Sequence, residues 1–140
     1  MILFKNTYCT LTHVAAGNIM HLKWLRQPNI TVLLNTYNAG IDLAIKHQAT
    51  SWIADNSIGI YFDVSMQRAL AELSARRLHE TTICRFARVV PQDVFHELVS
   101  HKMLHMVNHL SNNTIDFELF TNLEDARNWV NRQYMAQAFA

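Results

Sequence analysis

The sequence is poor in residues that interrupt or crosslink a chain: its 140 residues include three glycines, two prolines and two cysteines. Cys9 and Cys84 stand far apart, without a CxxC or a neighbouring Cys/His cluster, so a disulfide framework, a zinc finger and a redox dithiol motif lack support. Two reduced thiols fit a cytoplasmic protein. Charge is scarce as well. Twelve Lys+Arg against eleven Asp+Glu leave a net charge of +1, and no basic run exceeds Arg76-Arg77. That gives nucleic acid or an anionic membrane no electrostatic footprint to bind. No apolar window approaches the roughly 18 residues that cross a bilayer. The N-terminal stretch MILFKNTYCTLTHVAAG is broken early by Asn6, Thr7, Thr10, Thr12 and His13, unlike a signal peptide. Neither membrane insertion nor export is expected.

What the chain does have is apolar residues, 50% of the total. A chain of this length buries enough surface to fold without metal or disulfide, and one domain over 1–140 is expected. Intrinsic disorder is excluded by the same composition. No repeat, low-complexity tract or Pro/Ser-rich linker marks a second domain.

Residues 7–14 (TYCTLTHV) are β-branched and aromatic, Ala15-Ala16-Gly17-Asn18 supplies turn chemistry, and 19–25 (IMHLKWL) alternates Met20, Leu22 and Trp24 against His21 and Lys23. This reads as an antiparallel hairpin. After Pro28, Ile30, Leu34, Tyr37, Ile41 and Ala44 recur at helical spacing through Gln48, with Gly40 inside the run. A short strand at 50–55 (TSWIAD) leads into the polar loop Asp55-Asn56-Ser57-Ile58-Gly59. Asp63 or Ser65 then caps a second helix with Met66, Ala69, Leu70 and Leu73 inward. Residues 83–90 (ICRFARVV) form a further strand. A third helix runs from Gln92-Asp93 to Leu110 with Phe95, Val99, Met103, Met106 and Leu110 as its apolar side, and Asn112-Asn113 breaks it. The clean alternation of 115–120 (IDFELF) marks a half-buried strand, and Thr121-Asn122-Leu123-Glu124 reads as a capping box opening a helix with Ala126, Trp129, Val130 and Tyr134 inward.

The order β-β-α-β-α-β-α-β-α predicts an α/β fold with a mixed, mostly parallel five-stranded sheet. Crossovers are right-handed, so strands added in one direction carry their helices to one face. His21, Lys23, Asp116 and Glu118 are polar on what would be the uncovered face, whereas a doubly covered parallel sheet reads as continuous apolar runs. Ile83, Ala87 and Val89 also fall on one side of their strand with Arg85, so that face is not wholly polar. A partner or the C-terminal segment is expected to pack over part of it.

This layout, with TSWIADNSIG, VVPQDVF and above all FELFTNLEDARNWV in order, resembles the STAS-like (SpoIIAA-like) proteins of Bacteroidetes over residues 7–131. The resemblance implies a one-sided α/β sandwich akin to anti-sigma-factor antagonists and to the cytoplasmic STAS domains of anion transporters. It further implies a regulatory module without catalytic activity or cofactor, which docks a protein partner or pairs as a homodimer. In antagonist proteins a serine in an Asp-Ser-Ser-Gly-like turn is phosphorylated. The matching region here, Asp55 to Ser65, lacks the Ser-Gly pair, and either Ser57 or Ser65 stands near that role. Related sandwiches also enclose apolar ligands, so a small apolar ligand or a lipid is the alternative occupant.

The residues themselves offer three further candidates. A phosphate on Ser57 or Ser65 would add about −1.5 to −2 charges near a helix N-terminus, although serine there is equally what a cap requires. Asp55, Asn56 and Asp93 fall at strand carboxyl ends, the usual ligand crevice of an open α/β sheet, with Arg88 available to pair with a carboxylate. Two carboxylates there could act as an acid/base pair, the enzyme alternative. His101, His105 and His109 form one stripe of the third helix, but its ends lie about 12 Å apart, too far for one ion to reach all three. A solvated helix face is the expectation for that stripe, with no metal.

Overall fold

The computed structural model describes residues 1–111 and 115–139, with side chains to Arg132. The break at Asn112-Asn113 and the orientation of Tyr134 lie outside these described residues. In chain order the elements are β1 (Ile2–Lys5), β2 (Cys9–Val14), β3 (Ile19–Trp24), α1 (Ile30–His47), β4 (Ser51–Asp55), α2 (Val64–Arg77), a 3₁₀ turn (Leu78–Glu80), β5 (Arg85–Val89), α3 (Val94–Leu110), β6 (Asp116–Phe120) and α4 (Leu123–Phe139). The sheet therefore has six strands, not the expected five. The added strand is β1, which pairs antiparallel with β2 through an irregular register between Ile2 and Phe4.

The strands lie side by side in sequence order. β2 and β3 form the expected antiparallel hairpin, and β3, β4, β5 and β6 run parallel. One face carries Leu11, Met20, Leu22, Trp24, Trp52, Ala54 and Phe86, packed against Leu33, Tyr37 and Ala44 of α1, Met66, Leu70 and Leu73 of α2 and Met103 of α3. The alternate residues Ile19, Ile53, Ala87 and Val89 form a second, smaller core with Ala126 and Val130 of α4. Three helices thus cover one face and α4 covers the middle of the other. It is the C-terminal segment that packs there. His21 is partly buried and Lys23, Asp116 and Glu118 are exposed, flanking α4. Arg85 secures it: the guanidinium lies 4.6 Å from the Trp129 ring centroid and Nη1 donates to the Trp129 carbonyl at 2.7 Å. Asn122, not Thr121, is the cap. Its Oδ1 accepts from the Asp125 amide while its Nδ2 donates to the Asp125 carboxylate, so the cap stands one residue later than the sequence pattern predicts and its return contact is made by the Asn122 side chain.

In-register neighbours across the parallel strands make two rows on the helix-covered face. Met20, Trp52, Phe86 and Phe117 form one; Leu22, Ala54, Arg88 and Leu119 form the next. Trp52 stacks on Tyr37 at 5.7 Å and on Phe86 at 6.1 Å between centroids. Gly40 sits directly over it: a Cβ at this position would meet Trp52 Cη2 at 2.6 Å. The glycine is what lets α1 approach the central strand.

The third helix is turned relative to the sequence reading. Ser100, Met103 and Val107 are its buried residues, whereas Phe95 and Leu110 are exposed and Val99 and Met106 only partly covered. The same rotation leaves Val94 and Leu98 in solvent.

At an unconstrained helix position Gly→Ala stabilises by about 1 kcal/mol. Gly40→Ala is expected instead to destabilise by about 1–3 kcal/mol, because the stacked indole has no free direction to move. Urea denaturation measures this, and an unchanged or raised midpoint would show that α1 can lift from Trp52 without loss.

Candidate functional site

At the carboxyl end of β4 the chain leaves the sheet through Asp55-Asn56-Ser57, and Gly59, at φ +85°, closes the turn with its amide donating to the Asn56 carbonyl. Asp55 lies on the same face as α4, because Lys23, Asp55, Val89 and Phe120 are in register. It is buried. Its Oδ1 accepts from the Ser57 hydroxyl and from the Ser57 amide, and His21 Nε2 stands 3.7 Å from its Oδ2. Burial alone would raise the carboxyl pKa, but His21 and the two Ser57 donors outweigh it and hold Asp55 below the ordinary carboxylate value. The carboxylate lies between serine and histidine. A nucleophilic triad needs the imidazole in that middle place to take the hydroxyl proton, so this order does not activate Ser57.

Asn56 is 1% exposed, and among the described residues neither its Oδ1 nor its Nδ2 meets a partner. Its backbone is satisfied by donation to the Val89 carbonyl.

Asp93 belongs to a separate cluster. It is the N-cap of α3, accepting from the Phe95 and His96 amides, and its Oδ2 lies 3.1 Å from His96 Nδ1. These donors, the Phe95 amide foremost, pull the carboxyl pKa down. Asp55 and Asp93 share no partner: Asp55 meets Ser57 and His21, Asp93 the first-turn residues Phe95 and His96 of α3. Asp63 caps α2 by accepting from the Met66 amide, which leaves Ser65 exposed in the first turn with no capping role. Ser57 is exposed beside Asp55. His101, His105 and His109 are exposed along α3. Among the described residues no three His, Cys, Asp or Glu side chains converge as metal ligands.

Arg88 does not pair with Asp55. It lies on the opposite face of the sheet, and among the described residues no carboxylate comes within 4.0 Å of it. Its guanidinium sits 5.4 Å from the Phe62 ring centroid, and Nη1 reaches Met103 Sδ at 3.6 Å. Burial lowers its pKa, opposed by the nearby Tyr37. Arginine nonetheless remains charged at neutral pH.

A feature that sequence reasoning missed surrounds the starts of α2 and α3. Ile58, Tyr61, Val64, Val94, Phe95 and Leu98 are each at least half exposed. The Tyr61 and Phe95 rings stack at 6.0 Å. The turn bearing Ile58 packs on the same end of α3, since a Cβ on Gly59 would meet His96 Nε2 at 3.2 Å and Pro91 Cγ at 3.3 Å. The patch is rimmed by exposed Asp63 and Asp93 and partly buried Glu97. The available sequence signal was the surplus of apolar residues at 94, 95 and 98, more than one buried stripe accommodates.

Among the described residues no helix is long and apolar enough to cross a membrane. Burial pushes the Cys9 thiol pKa up.

Since the folded pKa of Asp55 lies below the unfolded value of about 3.9, its ionised form adds stability that is complete above that value and is lost as pH falls through the folded pKa. The stability gap between wild type and Asp55→Asn is expected to stay constant from neutrality to about pH 5 and to close in more acid solution. Urea midpoints for both proteins across that range measure it; a gap that widens in acid would show that burial, not the Ser57 and His21 contacts, controls the group.

Comparison of the chain with protein-family models, with curated proteins and with solved structures finds no match.

Proposed function

We propose that this chain is a STAS-like protein-interaction module without a catalytic centre, and that it docks a regulatory protein through the apolar patch at the starts of α2 and α3. One observation carries the reading: the Tyr61–Phe95 stack lies in solvent amid Ile58, Val64, Val94 and Leu98. Isolated exposed apolar residues are ordinary, but a contiguous group with a polar rim marks an interaction surface. Stacked aromatics are suitable anchors, giving large contact area for little lost side-chain freedom. The acidic rim of Asp63, Asp93 and Glu97 favours a partner whose apolar contact is edged by Lys or Arg.

The sequential strand order and the single-faced set of crossover helices agree with the STAS-like reading. Ser65 is the better placed of the two candidate regulatory serines. It is exposed in the first turn of α2 next to Val64 of the patch, whereas the Ser57 hydroxyl is engaged by Asp55, where a phosphate would face a carboxylate. Phosphate on Ser65 would place a hydrated dianion at the patch edge and oppose apolar docking. Against an acid/base centre stands the engagement of Asp55 and Asp93 in separate local networks.

The test is affinity capture from the native host with wild type, with Phe95→Glu/Leu98→Glu, and with Ile45→Glu as a control on exposed α1 surface. Wild type and the control are expected to retain one partner that the patch variant loses by about tenfold or more, with thermal midpoints of all three alike. Sedimentation of the same proteins shows whether that partner is a second copy. A partner retained by the patch variant would overturn the assignment.

A further inference from the structure

Between α2, α3 and the sheet lies a cavity of about 90 Å³, walled by Tyr37, Leu70, Phe86, Met103, Val107 and Phe117, with the Arg88 side chain in its lining. We propose that this cavity binds a small monocarboxylic acid with an apolar body, its carboxylate paired with Arg88.

The walls are mostly apolar and aromatic, with Ser74 and Glu118 also in the lining; Glu118 is in register with Ala87, so its side chain belongs to the α4 face, and Arg88 is the arginine that the cavity holds. Arg88 projects from the row Leu22, Ala54, Arg88 and Leu119, where the small Ala54 leaves lateral room beside it. It finds an aromatic face, a thioether sulfur and the nearby Tyr37 hydroxyl, and among the described residues no acid within 4.0 Å. Arg88 is half-buried at the cavity wall, and a ring face and a sulfur offer its planar fork no acceptor oxygens to replace the water it has lost. A carboxylate supplies what the planar fork lacks, two acceptor oxygens in matching geometry.

A second group points to the same ligand. Tyr37 is 3% exposed and also lines the cavity, and among the described residues its Oη meets no partner in hydrogen-bond geometry, although Arg88 and Trp24 stand near enough to pull its pKa down against the larger effect of burial. The phenol therefore stays protonated at neutral pH and has a proton to donate. Guanidinium and phenol together can bind one carboxylate. Buried Ser100 and exposed His101 also line the cavity.

Size sets the body of the ligand. At about 90 Å³, against the roughly 150 Å³ that encloses a benzene, and with one side open, the cavity takes the inner part of a short branched acid or of a single-ring aromatic acid. A phosphate would leave the aromatic walls uncovered. The site lies away from the exposed patch, so it does not rest on the docking reading.

The test is calorimetric titration of the wild-type protein with benzoate and 3-methylbutanoate, against benzyl alcohol and 3-methylbutanol as neutral counterparts and inorganic phosphate as a bare anion. Saturable binding of either acid, at least about tenfold tighter than its alcohol and than phosphate, is the expected result. Arg88→Met, close in length and apolar, should weaken the acid by about tenfold to a hundredfold and leave the alcohol unchanged. Tyr37→Phe, which removes only the hydroxyl, should weaken it less. Should Arg88→Met fail to fold, the wild-type comparison of acid with alcohol and the Tyr37→Phe variant decide. Equal affinity for acid and alcohol, phosphate binding as tight as benzoate, or full acid affinity in Arg88→Met would each overturn the proposal. So would the absence of any binding by wild type.

Discussion

The contact between Gly40 and Trp52 fixes how closely the helical layer lies on the sheet. Trp52 is on the central strand β4, buried and stacked on both Tyr37 and Phe86, so its indole cannot turn aside. Any side chain at 40 would hold α1 away. With α1 at this depth, Tyr37, one turn earlier, reaches the same ring and brings its hydroxyl toward Arg88. Phe86 continues the aromatic row to Phe117 at 5.3 Å. The bulk of that row lies next to the row holding Ala54 and Arg88, and the mismatch in side-chain volume leaves the space that α2 and α3 roof over.

Topology imposes the second constraint. Strands joined by right-handed crossovers in unbroken order carry α1, α2 and α3 to one face, and the apolar residues on the other face would meet water. Ile53, Ala87 and Val89 cannot be left so, and α4 covers them. It docks through a small core of Ala126 and Val130, strengthened by Trp129 lying under Arg85 and packed at a tilt on Phe120, 5.7 Å between ring centroids. The polar residues flanking it need no cover. The sheet is therefore dressed on one side in full and on the other only where its strands are apolar.

Much of this was legible in the residues. The alternation of 19–25 and 115–120 placed the correct side chains on each face, and Arg85 among Ala87 and Val89 signalled that something covers the second face. Two features were not legible. ILFK at 2–5 is too short to show a period, and it becomes a strand only by pairing with β2, a non-local event. In α3 the apolar residues exceed one stripe, so period alone does not choose between the face of Phe95 and that of Met103; packing against α2 and β6 does. Ser100, a polar residue inside the buried ridge, pointed the pattern the other way. The candidate site divided for a similar reason. Asp55, Asn56 and Asp93 share a strand-end level, but alternation sends Asp55 to the α4 side, and the cap geometry holds Asp93 on α3.

Arg88 shows the limit of a one-dimensional reading most sharply. Its place on the helix-covered face follows from the period of two, and a cation there would ordinarily be expected to find an acid. Which groups meet it depends on residues distant in sequence: Tyr37 from α1, Phe62 from the loop before α2 and Met103 from α3. The same two helices that roof the cavity also carry Val64 and Val94, Phe95 and Leu98 at their starts. Met103 in the cavity wall and Phe95 in the patch lie on the same helix, eight residues or about 12 Å apart along its axis. The Tyr61–Phe95 stack bridges the loop before α2 and the start of α3, and it would register a shift of the two against each other as a change in the exposed aromatic surface. Cavity and patch are thus separate in chemistry, although α2 and α3 contribute residues to both.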